Sequence, residues 1–264
     1  MAKLGADGRL VYSTYLGGSY LPGVDSGGDD NGQGIAVSAD GRIFVTGFTT
    51  SWDFPTTAGA FERVFAREEY GLEDDIFLSV FNPAGRGSAD LLYSTFIGGG
   101  YEERGSDIVV DAAGFAYITG YHYVEGSDYI YIWPDFPTTA GAFDPGPMVR
   151  GTRAFVIKFF PGAQGVSDLR YSTLFGSHSS IDSAGVTEGH AIALDAAGDV
   201  YISGYTSDVE MTTTPGAFAR PRSGWGDAFM ARLAQNVEET IWRRQLNLAS
   251  RFISIYPTKM RSSR

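Results

Sequence analysis

Acidic and aromatic side chains crowd into a few loops of this 264-residue chain. The segment SYLPGVDSGGDDNGQG at 19–34 carries Asp25, Asp29, Asp30 and Asn31. Hard oxygen ligands of this kind suit calcium, so Asp25, Asp29 and Asp30 are candidate metal ligands. Their spacing is not that of an EF-hand, and the competing reading is a solvated Gly-Asp turn. Apart from calcium, no cofactor is expected. The segment YHYVEGSDYIYIWPD at 121–135 gathers Tyr121, Tyr123, Tyr129, Tyr131 and Trp133. Such rings stack on sugars or peptide side chains while their polar tips reach water. With Trp52 they form the candidate ligand-binding set, for a protein or a glycan. The competing reading is an extra hairpin packed on a neighbouring unit.

Signals for catalysis are sparse. The absence of cysteine removes thiol nucleophiles, disulfides and cysteine–zinc sites. His122, His178 and His190 show no metalloprotease spacing. No G-x-S-x-G elbow occurs. Paired carboxylates, as glycoside cleavage requires, could still meet across loops. The rival to a non-catalytic binding scaffold is therefore a carbohydrate-active hydrolase or lyase using acidic loop residues. A purely architectural spacer is the third reading.

The net charge of −11 argues against phosphate-backbone partners. No apolar run reaches the roughly 18 residues of a membrane helix, so membrane insertion is not expected. The start, MAKLGADGRLVYS, lacks the apolar stretch of a signal peptide. An exported protein of this kind would take its signal from outside this sequence. The last 22 residues hold six basic side chains and no acidic one, and read as a solvated end.

What must position the loops is a repeat. DFPTTAGAF stands at 53–61 and again, letter for letter, at 135–143. YSTYLGG at 12–18 returns as YSTFIGG at 93–99 and YSTLFGS at 171–177. GIAVSADGRIFVTGF, DIVVDAAGFAYITGY and AIALDAAGDVYISGY begin at 34, 107 and 191. Each unit predicts four short strands, a to d in chain order, rich in β-branched and aromatic residues. Tandem four-stranded antiparallel units predict an all-β fold built from propeller blades. In the a–b links, Ser38, Asp111 and Asp195 are expected to accept from the backbone N–H two residues on, and glycine takes the left-handed turn position.

The ordered set LVYSTYLGG, GIAV-turn-G-x-x-F/Y-V/I-T-G, DFPTT-x-GAF and D-x-F-x-x-x-F/L-x-P-x-G resembles the SBBP beta-propeller repeat family of bacteria and archaea. The resemblance covers residues 1–246. It implies a propeller in an extracellular or cell-surface setting and brings no catalytic residues with it. Residues 1–17 then read as strands c and d of a preceding blade, 34–97, 107–175 and 190–246 as three blades, and 247–264 as a divergent basic tail. Three blades and one hairpin should not close a ring. A partial propeller is expected, a fragment or truncated product whose open faces take the remaining blades of a longer propeller or associate with themselves. Antiparallel connection groups the long d–a and b–c loops on one face, where a rigid scaffold usually binds. In DFPTTAGAF, Phe54, Phe136 and the corresponding Met211 are expected to anchor the b–c crossing. Thr57, Thr139 and Thr214 are expected to cap a short helical turn, with Pro215 as its first residue and Phe61, Phe143 and Phe218 pinning it.

Overall fold

The computed structural model describes residues 1–19, 28–65, 74–124, 136–145, 151–176, 185–209, 211, 213–218 and 225–234. Every sheet in it is antiparallel. A two-stranded sheet pairs β1 (Ala2–Leu4) with β2 (Leu10–Ser13). Two four-stranded sheets follow in simple meander order. They are β3 (Asp30–Val37), β4 (Ile43–Thr49), β5 (Asp75–Phe81), β6 (Leu91–Ile97), and then β7 (Glu102–Val110), β8 (Ala116–Val124), β9 (Gly151–Phe159), β10 (Leu169–Phe175). The third repeat contributes β11 (Thr187–Leu194), β12 (Val200–Thr206) and β13 (Asp227–Leu233). Its expected fourth strand, near 240–246, and the basic tail lie outside the described residues.

Strand alternation explains why the sheets stack. In β5, Phe77 and Phe81 point to one face and Ile76, Leu78 and Val80 to the other, and all five are buried. A sheet that is apolar on both faces has to be covered on both. Phe77 and Phe81 join a cluster reached by Met1 and Leu16 of the N-terminal segment. Leu78 and Val80 share a core with Ile108, Ile118, Ile157 and Phe159 of the next sheet. Val156, on the other face of β9, packs with Ile192, Ile202 and Phe229 of the third. The first strand of each later sheet lies against three strands of the sheet before it.

These first strands start earlier than the repeat pattern suggests, at Asp30, Glu102 and Thr187. Each is extended through a bulge, at Gly32/Gly34, Gly105/Asp107 and Gly189/Ala191. The bulge explains the glycine of the T-G-F/Y motif. A Cβ at Gly47, Gly120 or Gly204 would sit 1.8, 1.9 or 1.8 Å from the carbonyl oxygen of Asn31, Arg104 or Glu188. At the other end, Asp111 and Asp195 accept from the N–H of Ala113 and Ala197, both at 2.9 Å, as the turn reading requires. Ser38 differs: its hydroxyl donates to Asp40 and to the Arg42 carbonyl instead.

DFPTTAGAF runs back along the outer edge of its own sheet. The Thr57 N–H donates to the Ser94 carbonyl at 3.0 Å, and the Thr57 hydroxyl accepts from the Ser94 N–H at 3.0 Å. Thr139 repeats both bonds with Ser172. The crossing therefore covers an otherwise unpaired strand edge. The expected helical turn does not form. Thr57, Thr139 and Thr214 instead open tight turns closed by the N–H of Ala60, Ala142 and Ala217. Gly59, Gly141 and Gly216 sit third in these turns at φ 76°, 84° and 81°. Pro215 thus occupies the second position of a turn with left-handed glycine after it, another site that proline favours. Phe54 and Phe136 are buried anchors, their rings 4.7 Å from Phe77 and 5.1 Å from Phe155. Met211 packs on the third-sheet core. Phe61 meets Phe159 of the next sheet edge-on at 5.9 Å, and the more exposed Phe143 lies 6.0 Å from the buried Phe175, whereas Phe218 is exposed.

A further joint links neighbours. The Tyr93 hydroxyl donates to the buried Asp168 at 2.9 Å and accepts from the Phe61 N–H at 3.0 Å. Asp168 also accepts from the N–H of Gly162 and Gln164 in its own c–d link. One sheet earlier, Tyr12 makes the same bond to Asp90. Burial pushes the Asp90 carboxyl up, but bonds from Arg86, Gly85 and Tyr12 outweigh it and hold it below the usual range.

Candidate functional site

The register places the d–a and b–c connections at one end of every sheet, where Thr49, Asp75 and Asp30 align across the first three strands. The aromatic residue after each T-G or S-G pair stands near this rim as Phe48, Tyr121 and Tyr205. Tyr121 is half-buried and donates to Glu102 at 3.3 Å. Burial raises its hydroxyl to about 12, against the pull of Arg104. Arg104 bonds Asp74 at 2.5 Å, approaches Glu102 at 3.2 Å and lies 4.3 Å over the Phe48 ring. The result is a polar–aromatic patch shared by two sheets. The patch thus sets a guanidinium on an aromatic face beside carboxylates and a phenol.

Beneath the patch lie more acids. Glu103 is completely buried and shares a 2.8 Å hydrogen bond with His122 Nδ1. The His122 ring sits 5.5 Å from Phe136 and 6.1 Å from Tyr101. Burial pushes the Glu103 carboxyl well up. The Gly99 N–H opposes this, while Glu62, Glu102 and Asp74 add to it. Glu62, on the clasp of the first sheet, is raised to about 7 by burial. Asp74 is also raised, by burial that outweighs Arg104.

Among the expected ligand-binding residues, Tyr121 and Tyr123 stand two apart on β8 and share a face. Trp52 is 52% exposed on the crossing of the first sheet. Tyr129, Tyr131 and Trp133 lie outside the described residues, as does Asp25. Asp29 and Asp30 belong to the rim of β3 rather than to a free turn. The Asp30 carboxylate accepts from the Gly18 N–H and from the hydroxyls of Thr49 and Ser51. No group of three or more histidine or carboxylate side chains is placed to hold a metal among the described residues. Arg104, Glu102, Glu103 and Glu62 were not singled out from sequence. Their signal was present in the repeats: position 104 is Asn31 in the first copy and Glu188 in the third, and position 103 is Asp30 and Thr187.

Antiparallel meanders packed on one another, two of four strands and a third with three among the described residues, define an all-β repeat protein with a propeller-like fold. Comparison with known families agrees: the model described as SBBP, beta-propeller repeat, matches residues 11–55. That span runs from β2 through β4 into the first clasp. No curated protein matches the chain. No helix among the described residues is long and apolar enough to cross a membrane.

Proposed function

We propose that the chain is a non-catalytic scaffold segment of an exported or cell-surface protein, built of consecutive propeller blades that bind a protein or glycan through the long-loop rim. The observation that carries this reading is where the repeats agree and where they differ. Core, clasp and turn residues recur from copy to copy. Rim positions change, giving the accessible Asn31, Arg104 and Glu188 at one site. A uniform frame with a variable rim suits recognition. Raised carboxylates such as Glu62 and Glu103 would favour a glycoside-cleaving rival. Glu103, however, has no exposed surface from which to meet a substrate.

Open faces support further blades. Ile108 and Ile192 are 4% and 8% exposed because each lies on the preceding sheet, whereas their counterpart Ile35 is 56% exposed. Met230, the counterpart of the buried Leu78 and Val156, is 74% exposed. Additional blades on these faces would bury both. The test is a glycan array with a pull-down from envelope extract, comparing the wild type with an Arg104→Ala/Tyr121→Ala double variant. Binding that survives in the variant places recognition elsewhere, and absence of any ligand for the folded wild type leaves a spacer. Light scattering on the isolated chain gives the second readout, since a strict monomer would count against adhesive open faces.

A further inference from the structure

At the opposite end of the second sheet, where the short turns gather, Phe115, Lys158, Phe160 and Arg170 line an open cleft of about 310 Å³. The two phenylalanine rings in its lining have centroids 5.0 Å apart and planes inclined by 49°. Lys158 Nζ stands 4.9 Å from the Phe115 centroid, and the Arg170 guanidinium 5.8 Å from that of Phe160. In a protein of net charge −11, neither cation has a carboxylate partner among the described residues. The nearest acid on the turn is committed elsewhere: Asp111 accepts from the N–H of Ala113 and Phe115 and from the Tyr117 hydroxyl.

The repeats show that this pairing is particular to one copy. Where the second sheet has Phe115 and Lys158, the third has Asp199 and Arg232, which neutralise one another in a salt bridge. The corresponding first-sheet pair is Arg42 and Val80, and Arg42 is held by Asp40 at 2.8 Å. Only the second copy replaces the internal counter-ion with an aromatic wall and leaves the charge facing the cleft.

We propose that this cleft binds an aromatic carboxylate, its ring on Phe115 and Phe160 and its anionic group between Lys158 and Arg170. The volume lies at the lower end of the range for small-molecule sites, suiting one ring with a short acid arm. Guanidinium favours carboxylate through paired hydrogen bonds. This site does not depend on the rim reading, because it lies on the other face. Two sources share the chemistry: a free aromatic acid, and the C-terminal phenylalanine or tyrosine of a peptide.

Titration of the isotope-labelled chain followed by amide chemical shifts tests the assignment, with 3-phenylpropionate, 3-phenylpropionamide and acetyl-Ala-Ala-Phe as probes. The acid is expected to saturate, with shifts confined to 113–117, 158–162 and 168–171. The uncharged amide should bind at least about ten-fold more weakly, and Lys158→Met and Arg170→Met should each weaken the acid by about five- to ten-fold. Tighter binding of the peptide identifies a protein C-terminus as the source, and tighter binding of the free acid a metabolite. Equal affinity for acid and amide, unchanged affinity in Arg170→Met, or no saturation up to about 20 mM would overturn the proposal. Arg170 is exposed, so its variant keeps the test decisive even if Lys158→Met fails to fold.

Discussion

The junction between the second and third sheets and the junction between the first and second use corresponding positions for different electrostatics. In the former, Asp144 on the clasp meets Arg153 on β9, both buried, and the next sheet offers Thr187, hydrogen-bonded to Thr206 at 3.0 Å. In the latter, the clasp residue is Glu62, the β5 residue is Asp75, and the next sheet offers Glu103 and His122. One junction is a compensated ion pair. The other holds three carboxylates close to a single histidine. The apolar alternation beneath is the same in both, so the stack tolerates either arrangement. The lesson is that packing builds the pile of sheets, while the rim polar positions are free to diverge and to make stability depend on pH.

The largest expected effect comes from breaking the compensated junction. Arg153→Met leaves Asp144 buried without its cation and should cost about 3–5 kcal/mol in urea unfolding. Asp144→Asn strands the cation instead and should also destabilise. Joint replacement, Arg153→Met with Asp144→Leu, should recover most of the loss, because neither charge is then left alone. A loss below about 1 kcal/mol for Arg153→Met would show that the pair does not hold this junction.

The frame was legible in the sequence and the junction chemistry was not. Repeated YST, T-G-F/Y and DFPTT segments give strand number, order and spacing because each copy reports the same local constraint. Gly47 and Gly120, for instance, answer to the same bulge. The Thr57 clasp reads from sequence as a helix cap, since a threonine before a tight turn and a threonine before a helix look alike until the partner strand is known. Its partner, Ser94, is 37 residues away. The Arg104 patch and the Glu103–His122 pair join residues up to 56 apart in chain order. Register within a sheet and stacking between sheets bring them together, and a one-residue bulge decides which face each presents. The cleft on the short-turn face is not legible in the sequence, because loop length points to the other end.

A smaller effect separates the joints. Tyr93→Phe removes the hydroxyl shared by Asp168 and the Phe61 N–H, and should cost about 1.5–2 kcal/mol. At Tyr171 the described partner is one N–H, from Phe143 at 3.3 Å. Tyr171→Phe should therefore cost only about 0.5 kcal/mol. Equal losses, measured by thermal unfolding, would mean that the carboxylate adds nothing to the joint.

A final effect, small and confined to high pH, has the opposite sign. The folded-state pKa of Glu62 is about 7 because burial disfavours its charge. The folded chain therefore holds this proton more tightly than the unfolded chain. Its contribution is fully present below the unfolded value, near 4.5, and is lost as pH rises through about 7. Glu62→Gln removes the charge without changing the shape. It should leave stability little altered at pH 4.5 and raise it by about 1 kcal/mol at pH 8, a figure reduced for the partial exposure of the carboxyl. Glu103 keeps some pH dependence in the variant, since its carboxyl is raised too. Substitution of the corresponding Asp144 by asparagine works the other way, because that carboxylate answers a buried arginine. If Glu62→Gln and Asp144→Asn shift the urea midpoint in the same direction at pH 8, the two junctions are not electrostatic opposites.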